Sequence, residues 1–237
     1  MNGETVRPNG ERARIAVILL CVVIVVELVV LVSDYLQYNL LNEILLGDFA
    51  MEEAESSDRR QQIVGIISIV VFVASGVTFI NWFRRAYYNL HVKFSHLGFQ
   101  EQHALWSWFI PILSLFRPYR IMKEIYYRTE LHLSKNAAYG ASGLTHSVVG
   151  WWWTLWIVNN LVGQFVFRTA MSAETSEEFI NNTIASMVSS LIGIASALLA
   201  IQMIRDYAAV EPLLAIPDEE PEAENLDTPI LSPIISE

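Results

Sequence analysis

The chain has 237 residues, more than half of them apolar, a formal charge of −10 at neutral pH and one cysteine. A lone Cys21 excludes a disulfide framework. The acidic balance argues against nucleic acid as a partner, although acids and bases are segregated by region, so local charge matters more than the sum. The apolar residues arrive in blocks about as long as a bilayer is thick, which points to an all-α, polytopic integral membrane bundle rather than a soluble core.

Residues 1–14, with Arg7, Arg12 and Arg14, are expected to form a cytoplasmic N-terminus. The first apolar block, Ile15 to Val32, is too long for the apolar region of a cleaved leader and lacks a small-x-small site after it, so it is read as an uncleaved span. The second is Ile63 to Trp82, and the acidic stretch between them carries Asp48, Glu52, Glu53, Glu55 and Asp58. Together, residues 15–82 make a first hairpin with an acidic outer loop. The third and fourth blocks, Val148 to Phe167 and Ile184 to Ile204, enclose Glu174, Glu177 and Glu178 and make a second hairpin over 148–207. Backbone groups in lipid must bond within their own segment, so all four blocks are predicted to be helices despite their many Val and Ile residues. The loops MEEAESSDRRQQIVG and MSAETSEEFINNTIA look like diverged copies, which suggests a parallel duplication of the hairpin.

Residues 83–147 form a basic, aromatic segment between the hairpins. Within it, Leu105 to Phe116 is apolar but short, is interrupted by Pro111 and is ended by Pro118, which suits a re-entrant or interfacial segment better than a fifth span. Basic residues in short loops prefer the cytoplasmic side. Four spans put twelve of the fifteen on one side and leave only Arg59, Arg60 and Arg168 on the other. Both termini are therefore expected inside. After Tyr207 the composition turns to Pro and acids, so 208–237 is expected to be a disordered acidic tail, with Pro229 to Ile235 as a potential peptide ligand for a protein partner.

The strings Trp82-Phe83-Arg84-Arg85-Ala86-Tyr87-Tyr88-Asn89-Leu90, Trp108-Phe109-Ile110-Pro111, Arg117-Pro118-Tyr119 and Gly150-Trp151-Trp152 resemble the bacterial membrane family catalogued as domain of unknown function 4328. That family has Gly-Trp-Ala upstream of the Trp-Phe-x-Pro element, where this chain has Gln102-His103-Ala104. The resemblance implies a bacterial multi-pass protein of the inner membrane and carries over no catalytic residue.

Two sets of residues stand out chemically. Arg84, Arg85, Arg117, Arg120 and Lys123 are the candidate anionic-lipid contacts of the basic segment, and a helix from Arg117 would place Arg117, Arg120, Glu124 and Tyr127 near one face and Ile121, Met122 and Ile125 on another. Basic and aromatic residues in the headgroup layer meet anionic lipid, the partner most expected here. The second set is a polar layer within the spans. Glu27, Asn159, Asn160, Ser68 and Ser190 all fall at a similar depth, suited either to an ion, proton or solute or to an interhelical clamp. His91, His96 and His103 with Glu101 lack the spacing of a compact metal site, so no metal or cofactor is expected. No phosphate loop, zinc helix or nucleophile elbow occurs, which leans against an enzyme. The sequence thus points to a lipid-interacting or partner-binding membrane scaffold. The alternatives are a small-solute or ion transporter built on the Glu27 layer and, third, a membrane enzyme; oligomeric state is not readable.

Overall fold

The computed structural model describes residues 5–47, 51–135 and 143–216. Every described element is a helix: α1 (Gly10–Leu46), α2 (Met51–Lys93), α3 (His103–Trp106), α4 (Pro111–Ser114), α5 (Arg117–Ser134), α6 (His146–Ser172) and α7 (Ser176–Val210), with a 3-10 turn at Glu211–Ala215. The tail expected from 208 therefore starts later: 208–215 continue α7 and form the 3-10 turn, with Glu211 and Leu214 buried, and the stretch beyond 216 lies outside the described residues. Helix ends follow local chemistry. α1 stops at Gly47, whose φ of 76° is open to glycine at no steric cost. α7 starts in a capping box, with Thr175 and Glu178 each satisfying the other's backbone N–H.

α1 packs along α2 and along α7, and α6 packs along α7, giving the order α2, α1, α7, α6. The two hairpins therefore meet through α1 and α7. One end of the bundle carries the basic residues and α3 to α5, and the other carries the acidic turns.

Burial is distributed unevenly between these ends. The largest fully buried side chains are Trp82, Phe83, Tyr87 and Leu90 of α2, Ile121, Met122, Ile125, Tyr126 and Leu133 of α5, and Met203, Ile204 and Tyr207 of α7. All of them lie at the basic end. Along the apolar blocks, Val25, Val29, Ile66, Ile69, Phe72 and Leu191 are exposed, as expected of side chains that face hydrocarbon. The apolar face of α5 is thus covered by protein, leaving Arg120, Lys123 and Tyr127 outside.

Among the described residues three helices, α1, α2 and α7, are long and apolar enough to cross a bilayer, which fits an integral membrane protein. The sequence reading expects four, and α6 does not join them by composition because Asn159, Asn160 and Gln164 interrupt its apolar run. Leu105 to Phe116 is not one helix. It forms the single turns α3 and α4, separated where Ile110 is extended, as the residue before Pro111 must be. Trp106, Phe109, Ile112 and Phe116 of this stretch are exposed.

Trp82 is fully buried, with its ring centroid 5.5 Å from that of Phe79 and 6.2 Å from that of Tyr207. Trp82→Ala is predicted to destabilise the fold by about 3–5 kcal/mol, the usual cost of deleting a buried aromatic. Thermal unfolding in nanodiscs should show a clear drop, whereas Trp106→Ala, at an exposed position, should leave the midpoint in place.

Candidate functional site

The intramembrane polar layer is built around Gly193 of α7. A Cβ there would lie 3.4 Å from Glu27 Oε1 and 3.6 Å from Asn159 Nδ2, so the carboxylate of α1 and the amide of α6 converge over bare backbone. Ser189 Oγ donates to Asn159 Oδ1 at 3.1 Å, and the Ser190 hydroxyl faces the Glu27 carboxyl. The other two expected members are not joined to this group. Ser68 Oγ donates to the Val64 carbonyl of its own helix at 2.9 Å, and Asn160 Nδ2 donates to the Trp156 carbonyl at 2.7 Å.

The same face of α1 carries a second acid that sequence reasoning did not single out. Asp34 lies two turns beyond Glu27, about 10 Å along the axis, within electrostatic reach of it. It is buried, accepts from Gln61 Nε2 at 3.2 Å and faces Ser186 of α7. Arg60 stands close by, held by Ser33 Oγ at 3.1 Å and Ser57 Oγ at 2.8 Å. Two carboxylates on α1 thus meet Ser186, Ser190 and Gly193 on α7, an i, i+4, i+7 stripe.

At the basic end, Arg7, Arg12, Arg84 and Arg85 surround a pocket of about 170 Å³ with Asn81, Tyr88 and Glu101. The Arg7 guanidinium lies 4.7 Å above the Tyr88 ring and that of Arg85 5.3 Å from it, both cation–π contacts. Arg85 also faces the like charges of Arg12, Arg7 and Arg84. The one acid lining the pocket is Glu101, whose carboxylate stands 3.9 Å from Arg84 Nε. The Tyr88 hydroxyl is buried and has no hydrogen-bond partner among the described residues. Positive charge here exceeds its local compensation, and guanidinium forks match phosphate oxygens.

A buried hydrogen-bonded knot holds this pocket in shape. Asn89 Nδ2 donates to Glu211 Oε1 at 2.7 Å and to the Arg7 carbonyl at 2.9 Å, while the Arg7 N–H donates to Asn89 Oδ1 at 2.9 Å. Asn9 Nδ2 donates to Glu211 Oε2 at 3.0 Å and to the Trp82 carbonyl at 3.3 Å. The N-terminal segment, α2 and the turn after α7 are thereby tied at one point.

The remaining expected cations stand apart from the pocket. Arg120 and Lys123 are exposed on α5, with Lys123 Nζ 5.6 Å from the Tyr119 ring, and Arg117 opens the same helix. The histidines take separate partners. The His91 ring packs edge-on to Tyr87, His96 Nδ1 meets Ser95, and His103 Nδ1 accepts from the Gln100 N–H.

A family model described as Domain of unknown function (DUF4328) matches residues 47–209. The chain belongs to this family. Comparison with curated proteins and with solved structures gives no match. The DUF4328 match runs from the start of α2 almost to the end of α7, so it includes Arg84, Arg85, Asn159 and Ser190. Glu27, Asp34, Arg7, Arg12, Asn9 and Glu211 fall outside it.

The DUF4328 motif residues prove to be mainly architectural. Trp108 packs edge-on against Phe83, Trp153 and Trp156, and Tyr119 stacks on Trp153 with centroids 6.2 Å apart. The Tyr87 hydroxyl donates to Glu124 Oε2 at 2.9 Å and accepts from the Phe99 N–H at 3.2 Å. Tyr126 donates to the Met203 carbonyl at 2.9 Å, and burial pushes its phenol above the ordinary range, so it remains a donor. Sequence reasoning credited Arg7 and Arg12 with topology alone, named Asn89 only as part of the family motif, and missed Asn9 and Glu211. The only signal of those two was a polar residue at a helix terminus, which is too common to be informative.

Glu211→Leu would leave one N–H of the Asn9 amide and one of the Asn89 amide without an acceptor, each costing about 1–3 kcal/mol when buried unpaired. The expected outcome is a lowered unfolding temperature and faster proteolysis near residue 7. Glu211→Gln, which keeps an acceptor oxygen, should lose less than half as much.

Proposed function

We propose that the protein is a four-span scaffold of the bacterial inner membrane that engages phosphate-bearing anionic headgroups at its basic, cytoplasmic end. The observation that carries this reading is the arginine pocket: four guanidiniums from two chain segments line one small cavity with a single carboxylate. Each basic group near an anionic surface contributes about 1 kcal/mol, and fork-to-phosphate geometry adds to that. Trp106, Phe109, Ile112 and Phe116, exposed beside Arg117 and Arg120, supply the interfacial anchors such a surface uses. α6 completes the fourth span in this reading. Its 27 residues reach about 40 Å, it runs beside α7, and it exposes Leu161, Phe165 and Phe167.

Arg84→Gln with Arg85→Gln should lower retention of phosphatidylglycerol by the purified protein about tenfold or more, read by native mass spectrometry. Phosphatidylcholine retention should not change, and neither should the result for Arg14→Gln. Competition by inorganic phosphate would show a free anion to be the occupant, and unchanged lipid retention would sink the proposal. The fourth span has its own readout. With Cys21 replaced by Ser, cysteines at Ser147 and Met171 should label from opposite faces of sealed vesicles.

A second reading, ion or proton transport, is favoured by the two acids of α1 facing the serine stripe of α7 in a region where charge is costly. In proteoliposomes with an imposed pH gradient, wild type should dissipate it faster than Glu27→Gln. Equal rates, with Glu27→Leu alone loosening the bundle, would leave the layer as a structural clamp.

A further inference from the structure

We propose that α6 pairs with α6 of a second copy of this chain, through the groove that opens between α2 and α6. The inference rests on α6 crossing the bilayer. The groove measures about 660 Å³, with Ile69 and Phe72 on the α2 wall and Asn160, Gly163, Gln164 and Phe167 on the α6 wall. α2 and α6 meet where the ring centroid of Phe79 lies 5.5 Å from that of Trp152 but do not pack along each other, so the groove is left open between them, and with α6 crossing the bilayer it would face lipid.

What the α6 wall presents does not suit acyl chains. Gln164 is exposed and has no hydrogen-bond partner among the described residues, and Asn160 uses one N–H on the Trp156 carbonyl, leaving its oxygen and second N–H unpaired. Both sit well inside the helix, Asn160 about 18 Å from Val148 along the axis. Hydrocarbon supplies no donor or acceptor at that depth, and lipid headgroups lie at the ends. A carboxamide carries both a donor and an acceptor, so it is complementary to its own copy across a two-fold axis. An axis along the membrane normal places Asn160 of each copy at the same level, and Gln164 one turn further on. Gly163 lies between them, and a Cβ there would meet nothing within 4 Å. The backbone is therefore open to close approach by another helix, the arrangement in which small residues and interhelical amides hold spans together. A self-pairing face also explains why a spanning helix retains groups that lower its hydropathy.

The experiment uses the full chain with Cys21→Ser, reconstituted in liposomes. Cysteines at Gly163 and at Phe167, one turn apart on the groove face, should each form a cross-linked dimer under mild oxidation, whereas a cysteine at Val29 on exposed α1 should not. Asn160→Leu with Gln164→Leu makes α6 more apolar and so protects insertion, yet should raise the dimer dissociation constant at least tenfold, measured by energy transfer on dilution into excess lipid. Equal dimerisation of that double variant, or cross-linking at Val29 as efficient as at Gly163, would overturn the pairing. Labelling of Ser147 and Met171 cysteines from the same face would instead remove the span and the pairing together. With opposite-face labelling in hand, a monomer at all dilutions defeats the pairing alone.

Discussion

The architecture depends on the aromatic core at the basic end, where α2, α5 and α7 bury Trp82, Tyr126 and Tyr207 against one another. Between apolar helices in lipid there is no hydrophobic drive, because hydrocarbon is as good a neighbour as Leu. Outside hydrocarbon the drive returns. The chain accordingly places its dense packing where α2 and α7 emerge, and adds α5 there as a clamp. The family motifs mark this clamp: Trp82, Phe83, Trp108, Tyr119 and Trp152 all belong to the core or pack against it.

Within the apolar blocks, cohesion has a different source. Glu27, Asn159, Ser189 and Ser190 gather over Gly193, and Asp34, Gln61, Arg60 and Ser33 gather two turns away. Such groups are costly when isolated in hydrocarbon, so they specify which helices touch and in what register. Gly193 is central to this because a Cβ there would already lie in van der Waals contact with the carboxyl, so a side chain longer than alanine would push against it.

The basic end holds a further tension. Arg7, Arg12, Arg84 and Arg85 repel one another, yet Arg7 is fixed through its backbone by Asn89, which Glu211 holds in turn. Folding therefore assembles a concentrated positive site by attaching it to a buried, hydrogen-bonded knot beneath. In the proposed reading such a site would be preorganised for an anion, since the conformational and electrostatic cost of gathering the charges is met by the fold itself.

Sequence alone determined the helical class, the apolar blocks and the acidic turns, because lipid imposes length and hydrogen-bonding rules that appear as composition, and the family was legible in its aromatic and proline motifs. It also identified Glu27, Asn159 and Ser190 as companions, since depth follows from residue count. Azimuth does not. Ser68 and Asn160 lie near the same depth but turn to their own helices, and which face meets a neighbour is set by how four helices pack. Asp34 was hidden just beyond the end of an apolar block, and although its seven-residue spacing aligns it with Glu27, only the α1–α7 contact shows it facing Ser186. The arginine pocket joins residues more than 70 positions apart, and the Glu211 knot joins the first described residues to the last. Such groupings are decided by tertiary structure because they depend on the closure of the whole bundle, which no local pattern of residues records.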